Sequence, residues 1–168
     1  MKLNKKHPLY REDINNVLSL VNTKELQGKS FLITGATGMV GVMLIDVLMS
    51  IKDVKVYAVG RNKGKAKTRL GDYFDEPRFF FVEQDVCSPF DDTIKVDYII
   101  PMASNTHPLA YSQFPIETML INIQGAINAL NHAEKCGATV VYTSTNEVYG
   151  NALGDEVFTE DYNGRLNL

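Results

Sequence analysis

The stretch FLITGATGMVG, residues 31–41, constrains the fold more than any other part of the chain. A short apolar run leads into three glycines, Gly35, Gly38 and Gly41, and these open directly into a second apolar run. A chain needs that shape where a buried strand turns sharply into a helix. Gly35 permits the turn, Gly38 removes a side chain where a pyrophosphate must touch backbone, and Gly41 lets helix and strand pack closely. The first turn of such a helix offers free N–H groups and the positive end of its dipole to phosphates. The glycines, with Thr37, Met39 and Val40 beside them, therefore predict a dinucleotide site.

The same strand-then-helix pattern repeats downstream. Strand-like runs lie at 31–34, at 54–59, and in RFFFVEQDV, VDYIIPMAS and ATVVYTS. Helical spacing covers 39–50, a polar and basic helix or loop covers 63–75, and FPIETMLINIQGAINALNHAEKCG reads as a long helix. That helix has Pro115 in its first turn and Gly137 just past its end, the usual asymmetry. Strands that are apolar throughout are buried on both faces, which implies a parallel sheet between helices. Right-handed crossovers then give a Rossmann-like doubly wound α/β sheet. The first strand is central, with the second and third on one side and the fourth and fifth on the other. Ahead of this domain, assigned to 28–168, residues 1–27 form a leader. Ile14, Val17, Leu18 and Val21 recur there at helical spacing, predicting an amphipathic helix packed on the domain.

Composition narrows the function. The 168 residues are 45% hydrophobic and carry a net charge of −3, which suits one globular domain and provides no basic field for nucleic acid or an anionic membrane. Any phosphate must be held locally. Lys2, Lys5 and Lys6, and then Arg61, Lys63, Lys65, Lys67 and Arg69, are the clustered cations, expected on solvated faces apart from Arg61. Cys87 and Cys136 have no metal or disulfide spacing, and neither do His7, His107 and His132. With no apolar leader after the first lysines, a reduced cytoplasmic setting and a soluble protein are expected. GKS at 28–30 is not a phosphate loop, because it precedes the strand and has Thr23 where the first glycine belongs.

The residue that selects the adenosine ribose lies about 20 positions past the glycines, at the end of the second strand. The chain reads AVGRN there, so Gly60 and Arg61 stand where an NAD site has an acid. Arg61 could bind a 2′-phosphate or stack on adenine, so both NAD and NADP remain open as cofactor.

The spacing TGxxGxxG, formed by Thr34, Gly35, Gly38 and Gly41, resembles that of the extended, sugar-nucleotide-modifying branch of the short-chain dehydrogenase/reductase superfamily. Four further stretches resemble it in the same order: QDV at 84–86, PMAS at 101–104, INIQGAINAL with Asn122, Gly125, Asn128 and Leu130, and TSTNEVYG at 143–150. The resemblance implies that Asp85 and Val86 touch adenine, that Ala103 and Ser104 lie along the cofactor, and that Asn122 and Thr143 complete its site. It implies a nucleotide-sugar substrate, with Thr145 hydrogen-bonding the sugar's 4-oxygen and Glu147 transferring a proton near C5. Asn146 stands where the related dehydratases carry an aspartate, which leaves decarboxylase-like and epimerase chemistry open.

The resemblance also implies a catalytic tyrosine with a lysine four residues later. None of the eight tyrosines has one: the residues four on are Ile14, Arg61, Pro77, Met102, Pro115, Asn146, Leu153 and Leu166. The pair is expected beyond FTEDYNGRLNL, together with the part that builds the sugar pocket. The expectation is a cofactor-binding portion that is inactive alone, with pairing of two copies through the helix at 115–135. The alternative is a non-catalytic dinucleotide sensor.

Overall fold

A computed structural model describes residues 5–150, 154, 155 and 157–162. Residues 1–4 of the expected leader, Lys2 among them, and residues 151–153, 156 and 163–168 of the expected domain lie outside the described residues, as does the side chain of Asn146. Five parallel strands form one sheet: β1 (Ser30–Ile33), β2 (Lys55–Gly60), β3 (Phe79–Glu83), β4 (Tyr98–Ile100) and β5 (Thr139–Val140). Their spatial order is β3-β2-β1-β4-β5, the order that the alternating pattern predicts. The helices are α1 (Pro8–Leu20), α2 (Thr23–Leu26), α3 (Met39–Met49), α4 (Lys63–Leu70), α5 (Pro108–Gln113) and α6 (Pro115–Cys136).

Period-two alternation explains why the central strands are apolar beyond their first residues, Ser30 and Lys55. On β1, Phe31 and Ile33 join a core shared with Val42, Ile45 and Leu48 of α3, whereas Leu32 joins a second core with Ile121, Ala129 and Ala133 of α6. Val56 and Ala58 of β2 point to the first core and Val59 to the second. Both faces of the sheet are therefore covered at its centre, as a parallel sheet requires, while the edge strands keep exposed positions such as Phe80. ATVVYTS is strand only over Thr139–Val140, because β5 pairs with β4 alone and its far edge has no neighbour among the described residues.

The leader forms α1, with His7 capping its first turn and Ile14 buried, and it rests on α3, Leu18 packing against the first core. Val21 lies outside that face and is exposed, because the helix ends at Leu20 and the chain turns extended. The leader is also held by polar contacts that its sequence does not announce. Asp46, buried on α3, accepts from Lys5 Nζ at 2.6 Å and from the Tyr10 and Tyr73 hydroxyls. Lys5 therefore departs from the solvated role expected of the cation clusters, because an unpartnered Asp46 carboxylate at that depth would be costly.

Candidate functional site

All strands of a parallel sheet end on the same side, so the loops after β1, β2, β3 and β4 converge there. Two adjoining cavities lie along these ends, of about 520 and 950 Å³. They share Val86, Met102, Ala103, Ser104, Thr106 and Ile121, so together they form one continuous groove.

The first cavity is built on the glycine turn. Gly35 has φ +65°, and a Cβ there would lie 2.7 Å from the Met102 carbonyl oxygen. A Cβ on Gly41 would lie 2.6 Å from the Gly35 oxygen. Both positions bring backbone against backbone, which only glycine allows. Helix α3 begins at Gly38 with no side-chain cap, so its first-turn N–H groups are unclaimed by side chains. Thr37, Met39 and Val40 line the groove with the glycines. This helix start without a side-chain cap, set among three glycines, fits a pyrophosphate.

The loop after β4 is fixed by a group that looks unremarkable in sequence. Thr34, buried at the end of β1, accepts through Oγ1 from the backbone N–H groups of both Met102 and Ala103, each at 3.0 Å. One hydroxyl oxygen thus locks the loop that lines both cavities. Thr34→Val keeps the shape and strands two N–H groups, which should cost about 1–3 kcal/mol. Urea unfolding of the variant checks this, and an unchanged midpoint would remove Thr34 from the account.

On the adenosine side, Arg61, Asp85 and Val86 line the first cavity. Asp85 accepts from the Cys87 N–H at 2.9 Å, and its other oxygen lies 3.8 Å from Arg61 Nη1. Burial, and then the Asp85 carboxylate, push the Cys87 thiol upward. The Val86 carbonyl accepts from Asn128 Nδ2 of α6 at 2.8 Å, which joins the loop after β3 to the long helix. Asn128 thereby explains one position of the INIQGAINAL stretch as a structural tie.

The second cavity gathers Asn122, Thr143, Thr145 and Glu147. Thr143 Oγ1 donates to the Pro101 carbonyl at 3.0 Å, and Asn122 Nδ2 donates to the Thr118 carbonyl at 2.9 Å. Thr145 Oγ1 accepts from the Glu147 N–H at 3.2 Å and so begins the short 3-10 turn Asn146–Tyr149. Every residue singled out in the sequence for the cofactor or the substrate therefore lines one cavity or the other.

Other lining residues escaped the sequence reading. Lys65 lines the first cavity, and Arg69 Nη1 donates to the Thr37 carbonyl at 2.8 Å, so neither is merely a solvated charge. Their signal was the i, i+4, i+8 spacing with Arg61, which a solvated helix face would share. Tyr111 and Tyr142 line the second cavity, and Tyr111 has no distinguishing pattern around it. His107 caps α5 through Nδ1 and lies outside the groove, while His132 is buried in α6, where burial holds its pKa down.

Fold and groove together define a doubly wound α/β domain with its groove at the carboxyl ends of the strands. The chain belongs to the NAD dependent epimerase/dehydratase family, whose model matches residues 31–166. It is 34% identical over 149 residues to UDP-glucuronic acid decarboxylase 6 of Arabidopsis thaliana, covering 88% of this chain and 43% of that protein. Among solved structures, ADP-L-glycero-D-manno-heptose-6-epimerase of Helicobacter pylori superposes with a TM-score of 0.63 at 26% identity, over 84% of this chain and 47% of that one. UDP-N-acetylglucosamine 4-epimerase of Methanobrevibacter ruminantium shares the fold, with a TM-score of 0.69 at 18% identity over 83% and 44% of the two chains. The chain thus spans less than half the length of these relatives.

Proposed function

We propose that these 168 residues are the NAD(P)-binding portion of a sugar-nucleotide epimerase, dehydratase or decarboxylase that acts through a transient keto-sugar. The observation that carries this reading is the continuity of the groove from the glycine turn to Thr145 and Glu147. In this reading Gly35, Thr37, Gly38, Met39, Val40 and Gly41 hold the pyrophosphate, and Arg61, Asp85 and Val86 hold the adenosine. Ala103, Ser104, Asn122 and Thr143 flank the nicotinamide half. When bound, the nicotinamide supplies a hydride acceptor and donor for a sugar carbon.

The chain's own residues would orient the sugar. Thr145 already accepts a backbone N–H through its oxygen, so its hydroxyl proton is left to donate to the sugar's 4-oxygen. Glu147, exposed at the same cavity, would move a proton at C5. The 4-hydroxyl proton finds no tyrosine–lysine base in this sequence, and a lost general base commonly costs about 10²–10⁴ in rate. Dinucleotide binding without turnover is the expected behaviour.

Two copies are proposed to pair through α6. Its buried face is used within the domain, yet Ile116, Met119, Ile123, Ile127 and Leu130 repeat along the other face and are exposed. No helix among the described residues is long and apolar enough to cross a membrane. The setting we infer is the cytoplasm.

Thermal unfolding with and without ligands tests the reading. A dinucleotide at about 100 times its dissociation constant should add roughly 2.7 kcal/mol of stability, and UDP-glucuronic acid should show no turnover. Weakened UDP-sugar binding in Thr145→Ala would support the substrate assignment. In a chain lengthened to carry the tyrosine–lysine pair, turnover of nucleotide sugars would favour the enzyme and dinucleotide binding without turnover the sensor, and no dinucleotide effect in the 168 residues would refute both.

A further inference from the structure

The adenosine end of the groove is built differently from an NAD site. A ribose 2′-hydroxyl is held by an acid at the end of the second strand, whereas a 2′-phosphate is accommodated by a nearby arginine. Here β2 ends on Gly60, which carries no side chain. The three atoms nearest to a Cβ there are two of the Phe81 ring at 3.5 Å and Thr37 Cγ2 at 3.8 Å, all ordinary contacts. Space for an acid exists, and the chain leaves it open.

Cations border that space. Arg61 and Lys65 both line the cavity, and Arg69, one further turn along α4, holds the Thr37 carbonyl while its buried Nε has no hydrogen-bond partner. Asn62 Oδ1 accepts from the Lys65 N–H at 2.7 Å and so fixes the start of α4. The neighbouring carboxylates are already engaged. Glu83 accepts from the Lys63 N–H at 2.9 Å, and Asp85 accepts from the Cys87 N–H. Arg61 is 3.8 Å from Asp85 and its side chain is 64% exposed, so that pair is weak and the guanidinium can turn toward a ligand.

We propose that the groove prefers the 2′-phosphorylated dinucleotide, NADP(H), over NAD(H). Arg61 and Lys65 bind the phosphate, and Gly60 leaves room for it. The proposal rests on the dinucleotide reading above and sets this chain apart from a family described by its NAD dependence. A planar guanidinium and an ammonium on one phosphate give charge-assisted hydrogen bonds that a hydroxyl cannot match.

The test is calorimetric titration of the 168-residue chain with NADPH and NADH, followed by competition with 2′-AMP and 5′-AMP, which lack the nicotinamide. NADPH should bind at least about tenfold tighter, with an advantage that shrinks as salt rises. Arg61→Ser and Lys65→Ser should each erase most of that advantage, weakening NADPH by a larger factor than NADH; both side chains are exposed, so folding is not at risk. Equal or tighter NADH binding would overturn this proposal and leave the dinucleotide reading intact. Variants that weaken NADH and NADPH alike would overturn the phosphate assignment. If neither dinucleotide binds, the dinucleotide reading fails and this proposal with it.

Discussion

Gly35→Ala is expected to abolish dinucleotide binding and to lower the melting temperature by roughly 5–15 °C, taking about 2–4 °C per kcal/mol for a chain of this size. Two costs combine. Alanine at φ +65° sits in the left-handed region, and its Cβ would overlap the Met102 carbonyl at 2.7 Å. Backbone strain of this kind and forced overlap each cost about 1–3 kcal/mol. Neither atom belongs to a flexible side chain, so relief requires moving the loop after β4, which lines both cavities. Gly71→Ala is the control, since nothing lies within 4 Å of its Cβ position and its φ is ordinary. A Gly35→Ala chain that still bound dinucleotide normally would show that the turn does not form the site.

The second large effect lies on the opposite side of the domain from α6. Asp46→Ala should destabilise the chain by about 3 kcal/mol, because removing one partner from a buried charged cluster leaves the others uncompensated. The losses are identifiable: Lys5 Nζ and the Tyr10 and Tyr73 hydroxyls would lose their acceptor, and the leader would lose its polar tie to α3. Burial, and then the Asp46 carboxylate, raise the ionisation of both phenols well above the usual tyrosine value. Their folded values lie above the unfolded value of about 10, so their contribution is whole below that pH and is lost as pH rises further. Alkaline titration of stability should therefore be steeper in the parent chain than in a Tyr10→Phe, Tyr73→Phe double variant. Coincident curves would remove the phenols from the account.

The sequence made the architecture legible because burial leaves a periodic trace. Runs such as FLI and VYAV have no charged positions, as expected when both faces of a strand are covered. Glycine spacing was legible for a similar reason: close backbone approach admits one residue type, and Gly35 and Gly41 both meet backbone within 3 Å. The groove residues carried by the family resemblance also fell on its walls, from Asp85 to Glu147. The extent of β5 was not legible, since the run continues past Val140 with the equally strand-like Val141 and Tyr142.

What the sequence alone determined is therefore the strand order, the glycine turn and the end of the sheet at which a ligand must sit. These follow from local rules about which positions can be buried, turned or crossed right-handedly. Tertiary structure alone decided which polar groups meet. Thr34 and Met102 are 68 residues apart, Asn128 and Val86 are 42, and Lys5 and Asp46 are 41. No periodicity encodes such pairs. Each exists because the sheet brings distant segments side by side, and a buried hydroxyl, amide or carboxylate must then find its partner among whatever the fold has placed there.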